Sequence, residues 1–235
     1  MSSRGGHGVE CACHYLHPEP QGSCPELPVT GASGGWYNQS MTICDTNIPF
    51  TKVLMVLPRN TIHTETPLHE GYTYAPWRES FRQPWAALMV ETGLVPDQEA
   101  GLAQWDKMMN EAPEMLREHF RFVLGPEGDL AATAGLFPGH DFPDRLRLHW
   151  VATGLNHQHR GLAKSIITAL AKEYDRMPEK YPLYLSTQSQ SYGAIKLYSR
   201  LGFQPYMGEY AGHTKEQSED DWRIVTGVLR ETEGK

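Results

Sequence analysis

Two stretches of the chain carry residue types at spacings that can do chemistry. The first runs from Thr153 to Ala163. A strand ends at Thr153, a loop follows, and Gln158-His159-Arg160-Gly161-Leu162-Ala163 opens an amphipathic helix. Leu162, Ile166, Ala169, Leu170 and Tyr174 form the apolar stripe of that helix. Gly161 and Ala163 are small enough to admit a close approach by a backbone or a ligand. A helix N-terminus presents unpaired N–H groups and the positive end of the dipole, which suits phosphate or pyrophosphate. Arg160 and Lys164 would add positive charge. The plainer alternative is an ordinary strand–loop–helix turn with small residues used for packing. The stretch is neither a P-loop nor a dinucleotide fingerprint, because G-x-x-x-x-G-K-[ST] and G-x-G-x-x-G are both absent.

The second stretch ends in Ala194-Ile195-Lys196-Leu197-Tyr198-Ser199-Arg200-Leu201-Gly202-Phe203. At helical spacing Ala194, Leu197 and Leu201 share one face, and Ile195 and Tyr198 a neighbouring one. Tyr198 is then either a core aromatic with a satisfied hydroxyl or a proton donor. A third group lies near the N-terminus, where Cys11, Cys13, His14 and Cys24 are candidate ligands for Zn²⁺. Thiolates and imidazoles suit a closed tetrahedral zinc site. The C-x-C followed by wide gaps is not a paired C-x-x-C pattern, so buried small hydrophobes or an extension lying against the domain remain alternatives.

The composition frames these candidates. The chain has 235 residues, 40% hydrophobic and 21% charged, with a formal net charge of −7. That describes a globular protein of one large domain, or one domain plus an appendage. The acidic balance argues against nonspecific nucleic-acid binding. No apolar run approaches the roughly 18 residues that would span a bilayer. The Met1 end has no apolar h-region, so a cytoplasmic protein without a disulfide framework is expected.

The elements that must position the chemistry follow from periodicity and breakers. Residues 1–51 read as an irregular Cys/His-containing extension, and 52–235 as the folded domain. Strands are expected at Lys52–Leu57, 72–74, Phe120–Leu124, 130–137, 145–153, 183–187 and 222–228. Helices are expected at Arg82–Glu91, 97–120, 161–176 and 191–201, with acidic 216–221 as a solvated loop. In the strand ending at Thr153, Leu148, Trp150 and Ala152 alternate with Arg147, His149, Val151 and Thr153. Hairpins followed by strand–helix–strand–helix predict a mixed α/β domain.

Taken together, Gln158-x-x-Gly161-x-Ala163 after a strand resembles the acyl-CoA pyrophosphate loop, Q/R-x-x-G-x-G/A, of the GNAT superfamily of N-acyltransferases. Ala194-Ile-Lys-Leu-Tyr198-Ser-Arg-Leu-Gly202-Phe203 resembles that superfamily's later motif, A-x-x-L-Y-x-x-x-G-F. The resemblance covers about 120–206 well, reaches back to about Tyr72, and does not cover the first fifty residues. It implies a mostly antiparallel central sheet, splayed at the acyl-CoA site and flanked by helices. It implies acetyl-CoA as cosubstrate and a primary amine of a small molecule or peptide as acceptor. Backbone groups of Val151, Ala152 and Thr153 would pair with pantetheine. N–H groups from His159, Arg160, Gly161, Leu162, Ala163 and Lys164, with Gln158, would hold the pyrophosphate. Ser191 stands where many members carry a cofactor-touching Asn, and Ala194 follows beside the cofactor. Tyr198 matches the tyrosine that protonates the departing thiolate, a role open to a phenol of pKa about 10.

Many members carry a carboxylate base on the strand ending at Thr153, and this chain has none there. His149, with an ordinary pKa of about 6.5, is one candidate base. Glu91, at the end of a helix over the acceptor cleft, is another, and a water relay without a single base is the third. No Cys lies in the second half, which argues against an acyl-cysteine intermediate. The rival reading is a catalytically silent acyl-CoA sensor or partner-binding protein of the same fold. A homodimer is compatible with either.

Overall fold

A computed structural model describes residues 44–233. Cys11, Cys13, His14 and Cys24 lie outside the described residues, and so does most of the expected extension. In chain order the elements are β1 (Lys52–Leu57), β2 (Thr73–Ala75), α1 (Arg82–Glu91), α2 (Gln98–Glu111) and α3 (Pro113–Glu118). The hairpin β3 (Phe120–Leu124) and β4 (Leu130–Pro138) leads to β5 (Leu146–Thr153) and α4 (Leu162–Arg176). Then come β6 (Leu183–Gln188), α5 (Tyr192–Arg200), β7 (Gln204–Tyr206) and α6 (Lys215–Glu231).

The strands form one seven-stranded sheet in the order β2-β3-β4-β5-β6-β1-β7. Every pairing is antiparallel except β5 with β6, which α4 connects as a parallel crossover. The expected fold class therefore holds. β4 is buried along seven consecutive residues, Ala131 to Phe137, because both its faces are covered. On one face α4 buries Leu162, Ile166, Ile167, Leu170 and Tyr174 against Val53, Met55 and Leu148. Ala169, expected in that stripe, is only half-buried. On the other face α1, α2 and β5 enclose an aromatic core. Trp85 lies 5.6 Å from Trp105 and 5.4 Å from Trp150 in it, ring to ring.

Three local expectations fail for identifiable reasons. The helix expected over 97–120 breaks at Ala112, since Pro113 has no N–H and begins a new helix at its favoured first position. The strand expected over 222–228 is instead the second half of α6, and acidic 216–221 lies in its first half. Thr214 and Gln217 form a capping box that starts this helix, and Ser218, Trp222 and Val225 face inward at spacings of four and three. Strand β7 escaped the periodicity because it spans three residues; Pro205 is tolerated there at the sheet edge.

Candidate active site

Strands β5 and β6 pair only at Arg147↔Tyr184 and Leu148↔Leu185. Past Leu148 their registered pairing ends, and the sheet forks. At the fork Trp150 takes φ +50°. Opposite it, the β4 partner of His149 is Gly135 and that of Ala152 is Thr133, so β5 takes three steps where β4 takes two. The extra residue is a β-bulge. It places His149 and Trp150 on the same face, with ring centroids 5.0 Å apart. The strict alternation expected for this strand fails there, and Trp150 packs with Trp85 rather than beside Leu148.

Beyond the bulge, one cleft of about 390 Å³ opens between β5, α4 and α5. Val151, Ala152 and Thr153 line it from β5, and Gln158, His159 and Gly161 from the loop. Leu162, Ala163 and Lys164 line it from the first turn of α4, and Ala194 and Tyr198 from α5. The structure thus gathers these sequence-singled residues around one space. The Thr153 Oγ1, out of solvent, has no hydrogen-bond partner. Gly161 caps α4 at φ +73° and His159 turns the loop at φ +60°. The α4 ladder begins with Ser165 N–H donating to the Gly161 carbonyl at 3.0 Å. The amides of Leu162, Ala163 and Lys164 precede it, as first-turn donors without an intrahelical acceptor. Open backbone donors, small side chains and an orphaned hydroxyl fit the phosphates and amides of a CoA ester.

Other candidates land elsewhere. The Arg160 guanidinium turns back to the Asn156 carbonyl and lies 5.9 Å from the Tyr72 ring centroid; it does not line the cleft. Ser191 is buried in the turn before α5 and does not line it either. Glu91 fastens the loop instead of facing the cleft: its Oε1 accepts from the Leu155 N–H at 3.1 Å. His149 is also outside the lining. Its Nε2 sits 3.4 Å from an Arg147 Nη2. Burial, then the charges of Arg147, His140 and Lys107, hold its imidazole well below the ordinary value, so it stays neutral. Burial pushes the Tyr198 phenol well above its ordinary value, so the hydroxyl at the cleft keeps its proton.

Four lining residues carry no role in the sequence reading: His157, Gly193, Leu197 and Arg200. The last three flank or fall within the Ala194–Phe203 motif, so proximity to it was the available signal. His157 had none. Its Nε2 meets the Asp129 carboxylate at 2.7 Å and its Nδ1 the Tyr72 hydroxyl at 3.1 Å, both partners far away in the chain. Asp129, Tyr72 and Glu91 together pin the turn that feeds the loop. Among the described residues no His, Cys, Asp or Glu side chains group as a metal site requires. No helix of the described residues is long and apolar enough to cross a membrane.

A forked mixed sheet with a bulged strand and a glycine-capped helix at the fork defines a class of protein. The family model described as Acetyltransferase (GNAT) family matches residues 76–203, more than half of the chain, and the chain belongs to that family. It is similar to a "Probable spermine N(1)-acetyltransferase" of Bacillus subtilis subsp. natto, 34% identical over 83 residues, which are 33% of this chain and 55% of that protein. It is similar in fold to a GCN5-related N-acetyltransferase from Sphaerobacter thermophilus, at TM-score 0.51 and 16% identity over 67% of this chain and 49% of that one. A tandem GNAT protein from the clavulanic acid biosynthesis pathway matches at TM-score 0.51 and 17% identity, over 77% of this chain and 58% of that one. The chain spans about half the length of the relatives it matches.

Proposed function

We propose that the chain is an N-acetyltransferase that moves an acetyl group from acetyl-CoA directly to a primary amine of a small molecule or peptide. The observation that carries this reading is the convergence of the β5–β6 fork, the glycine-capped start of α4 and Tyr198 on one cleft. Free backbone groups at Val151 and Thr153 would receive the pantetheine amides as an added strand would. Amides from His159 to Lys164 would hold the pyrophosphate, helped by the dipole of α4 and the Lys164 ammonium. The bound amine then attacks the thioester carbonyl while backbone N–H groups take up the charge growing on its oxygen. As the C–S bond breaks, the Tyr198 phenol gives its proton to the departing thiolate. The amine proton leaves through water: burial and the Arg147 charge hold the His149 imidazole well below its ordinary pKa, which makes it a weak base, and the Glu91 carboxylate accepts from the Leu155 N–H. The name of the Bacillus relative supports an amine as acceptor.

Calorimetric titration with acetyl-CoA, run beside a thiol-release assay over an amine panel, tests the proposal. Binding with release of thiol is expected. Binding without release over a broad panel would favour a sensor, and no binding would remove the reading. Tyr198→Phe should lower kcat by about 10- to 100-fold, within the range of general-acid contributions, and leave the acetyl-CoA Kd within about twofold. Turnover equal to the parent's across pH would refute the acid role.

A further inference from the structure

A buried group of charged side chains lies outside the site described so far. It sits at the foot of the fork, on the sheet face away from α4. Arg147 and Tyr184 are the pair just below the point where β5 and β6 part. Tyr184 packs there with Leu54, Phe142 and Tyr210, whereas the alternate β1 residues Val53 and Met55 pack with α4. Asp141, from the β4–β5 connection, lies beneath: its Oδ1 is 2.5 Å from the Lys52 Nζ and its Oδ2 is 3.8 Å from an Arg147 Nη1. Its side chain is 5% exposed, that of Arg147 7% and that of Lys52 24%.

The charges do not balance. Two cations share one carboxylate, the imidazole against Arg147, that of His149, is neutral, and Asp221, beyond Tyr210, is paired with His213. A buried charge is costly unless it is paired. The donors do not balance either. Arg147 points Nη1 at Asp141, and its Nη2 reaches only the His149 Nε2 at 3.4 Å. Its Nε, out of solvent, has no hydrogen-bond partner, and neither have the Tyr210 hydroxyl and the Asp141 Oδ2, which faces Arg147 at ion-pair distance only. Nε and Nη2 make up the edge of a guanidinium that takes a carboxylate through two parallel hydrogen bonds. The Lys52 ammonium, the most exposed member, stands at the solvent side of the group and 5.3 Å from the Tyr210 ring centroid.

We propose that the Nε–Nη2 edge of Arg147, with Lys52 beside it, binds a carboxylate carried by the amine acceptor. The acceptor class is then an amino acid or a related amino carboxylate, not a free polyamine. This rests on the transferase reading and deepens it. Arg147 stands one residue before Leu148, the last registered pair before β5 and β6 part, so a carboxylate held at its guanidinium would lie next to the fork on which the cleft opens. A substrate carboxylate bound there would offset the second cation of the group.

The test compares acceptors that differ only by the carboxylate: lysine with cadaverine, ornithine with putrescine, and phenylalanine with phenethylamine, with spermine as a cationic reference. Acetyl-CoA binding is read first by calorimetry. The same amines are then titrated into the CoA-saturated protein and assayed for acetylation. The carboxylated member of at least one pair is expected to bind, and to exceed its partner in kcat/KM by about 10- to 100-fold, the worth of a charge-assisted bidentate contact. Arg147→Lys keeps a cation beside Asp141 but loses the two-donor edge. It should raise KM for the carboxylated acceptor by about tenfold with kcat and the acetyl-CoA Kd little changed. Lys52→Met, at the exposed side, should erode the same preference in a fold that retains Arg147. Equal or reversed preference, spermine ahead of every carboxylated acceptor, or acetyl-CoA binding with no carboxylated amine bound, overturns the assignment. Failure to bind acetyl-CoA at all removes the transferase reading and this inference with it, and the first titration shows that separately.

Discussion

Strand β5 serves two sites that are built in opposite ways. Its C-terminal end, Val151 to Thr153, opens on a cleft made of backbone amides, small residues and a helix start. Its N-terminal part carries Arg147 and His149 into a group of side chains drawn from β1, the β4–β5 connection, β6 and the segment after β7. The bulge at Trp150 separates them. A backbone site suits a ligand portion that every turnover presents in the same way. It is insensitive to side-chain identity, provided that the chain can adopt the turn. A side-chain site is set by which charges meet, so it can distinguish one acceptor from another and is costly to leave unbalanced.

The comparison predicts unequal sensitivity to substitution. The largest effect is expected at Asp141, whose carboxylate stands between two cations. Asp141→Asn leaves Lys52 and Arg147 facing each other without it, and should destabilise the fold by about 3–5 kcal/mol. Urea unfolding measures this; a loss below about 1 kcal/mol, the value of a surface pair, would make the group solvated and not a buried site. In the cleft, Gly161→Ala should cost less, about 1–2 kcal/mol, because only the left-handed backbone opposes it. An added Cβ there meets nothing within 4 Å. The same variant should weaken acetyl-CoA binding, read as a higher Kd, because relaxing φ re-aims the amides of the first α4 turn. Unchanged stability with unchanged Kd would show that the turn does not depend on glycine.

The smallest effect is a pH dependence at His149. Its pKa in the folded state lies below the ordinary value, with burial as the leading cause. The unfolded chain therefore takes up the proton first as pH falls. Stability is unaffected above about pH 6.5, and below it declines by at most about 1.4 kcal/mol per pH unit until the folded imidazole titrates. His149→Gln should flatten that decline between about pH 6.5 and 5.5. Equal slopes in urea-midpoint plots of parent and variant would show that the imidazole is solvated.

The two sites also differ in how far the sequence revealed them. The cleft was legible because Gln158–Ala163 and Ala194–Phe203 are contiguous, and hydrogen-bonded helix starts are written in neighbouring residues. Where the reading was incomplete, the telling contact was remote. Glu91, a candidate base in the sequence, also accepts from the Leu155 N–H, 64 positions along the chain. His157 had no signal, because its partner Asp129 stands 28 positions back and Tyr72 stands 85. At 222–228 a run rich in apolar residues suggested a strand, yet only Trp222 and Val225 of it are buried, and the capping box that commits the segment to helix lies upstream at Thr214.

By itself the sequence determined the order of strands and helices around the fork, the turn at Gly161 and the placing of Tyr198 on the helix beside it. These depend on periodicity, capping and backbone freedom, which act over a few residues. Only the tertiary structure decided which face of β5 carries His149, since one unpaired residue at Trp150 reverses the alternation. It also brought Lys52 to Asp141 across 89 positions of chain. Sheet register and the balance of buried charge depend on which elements pack together, and no local pattern encodes that.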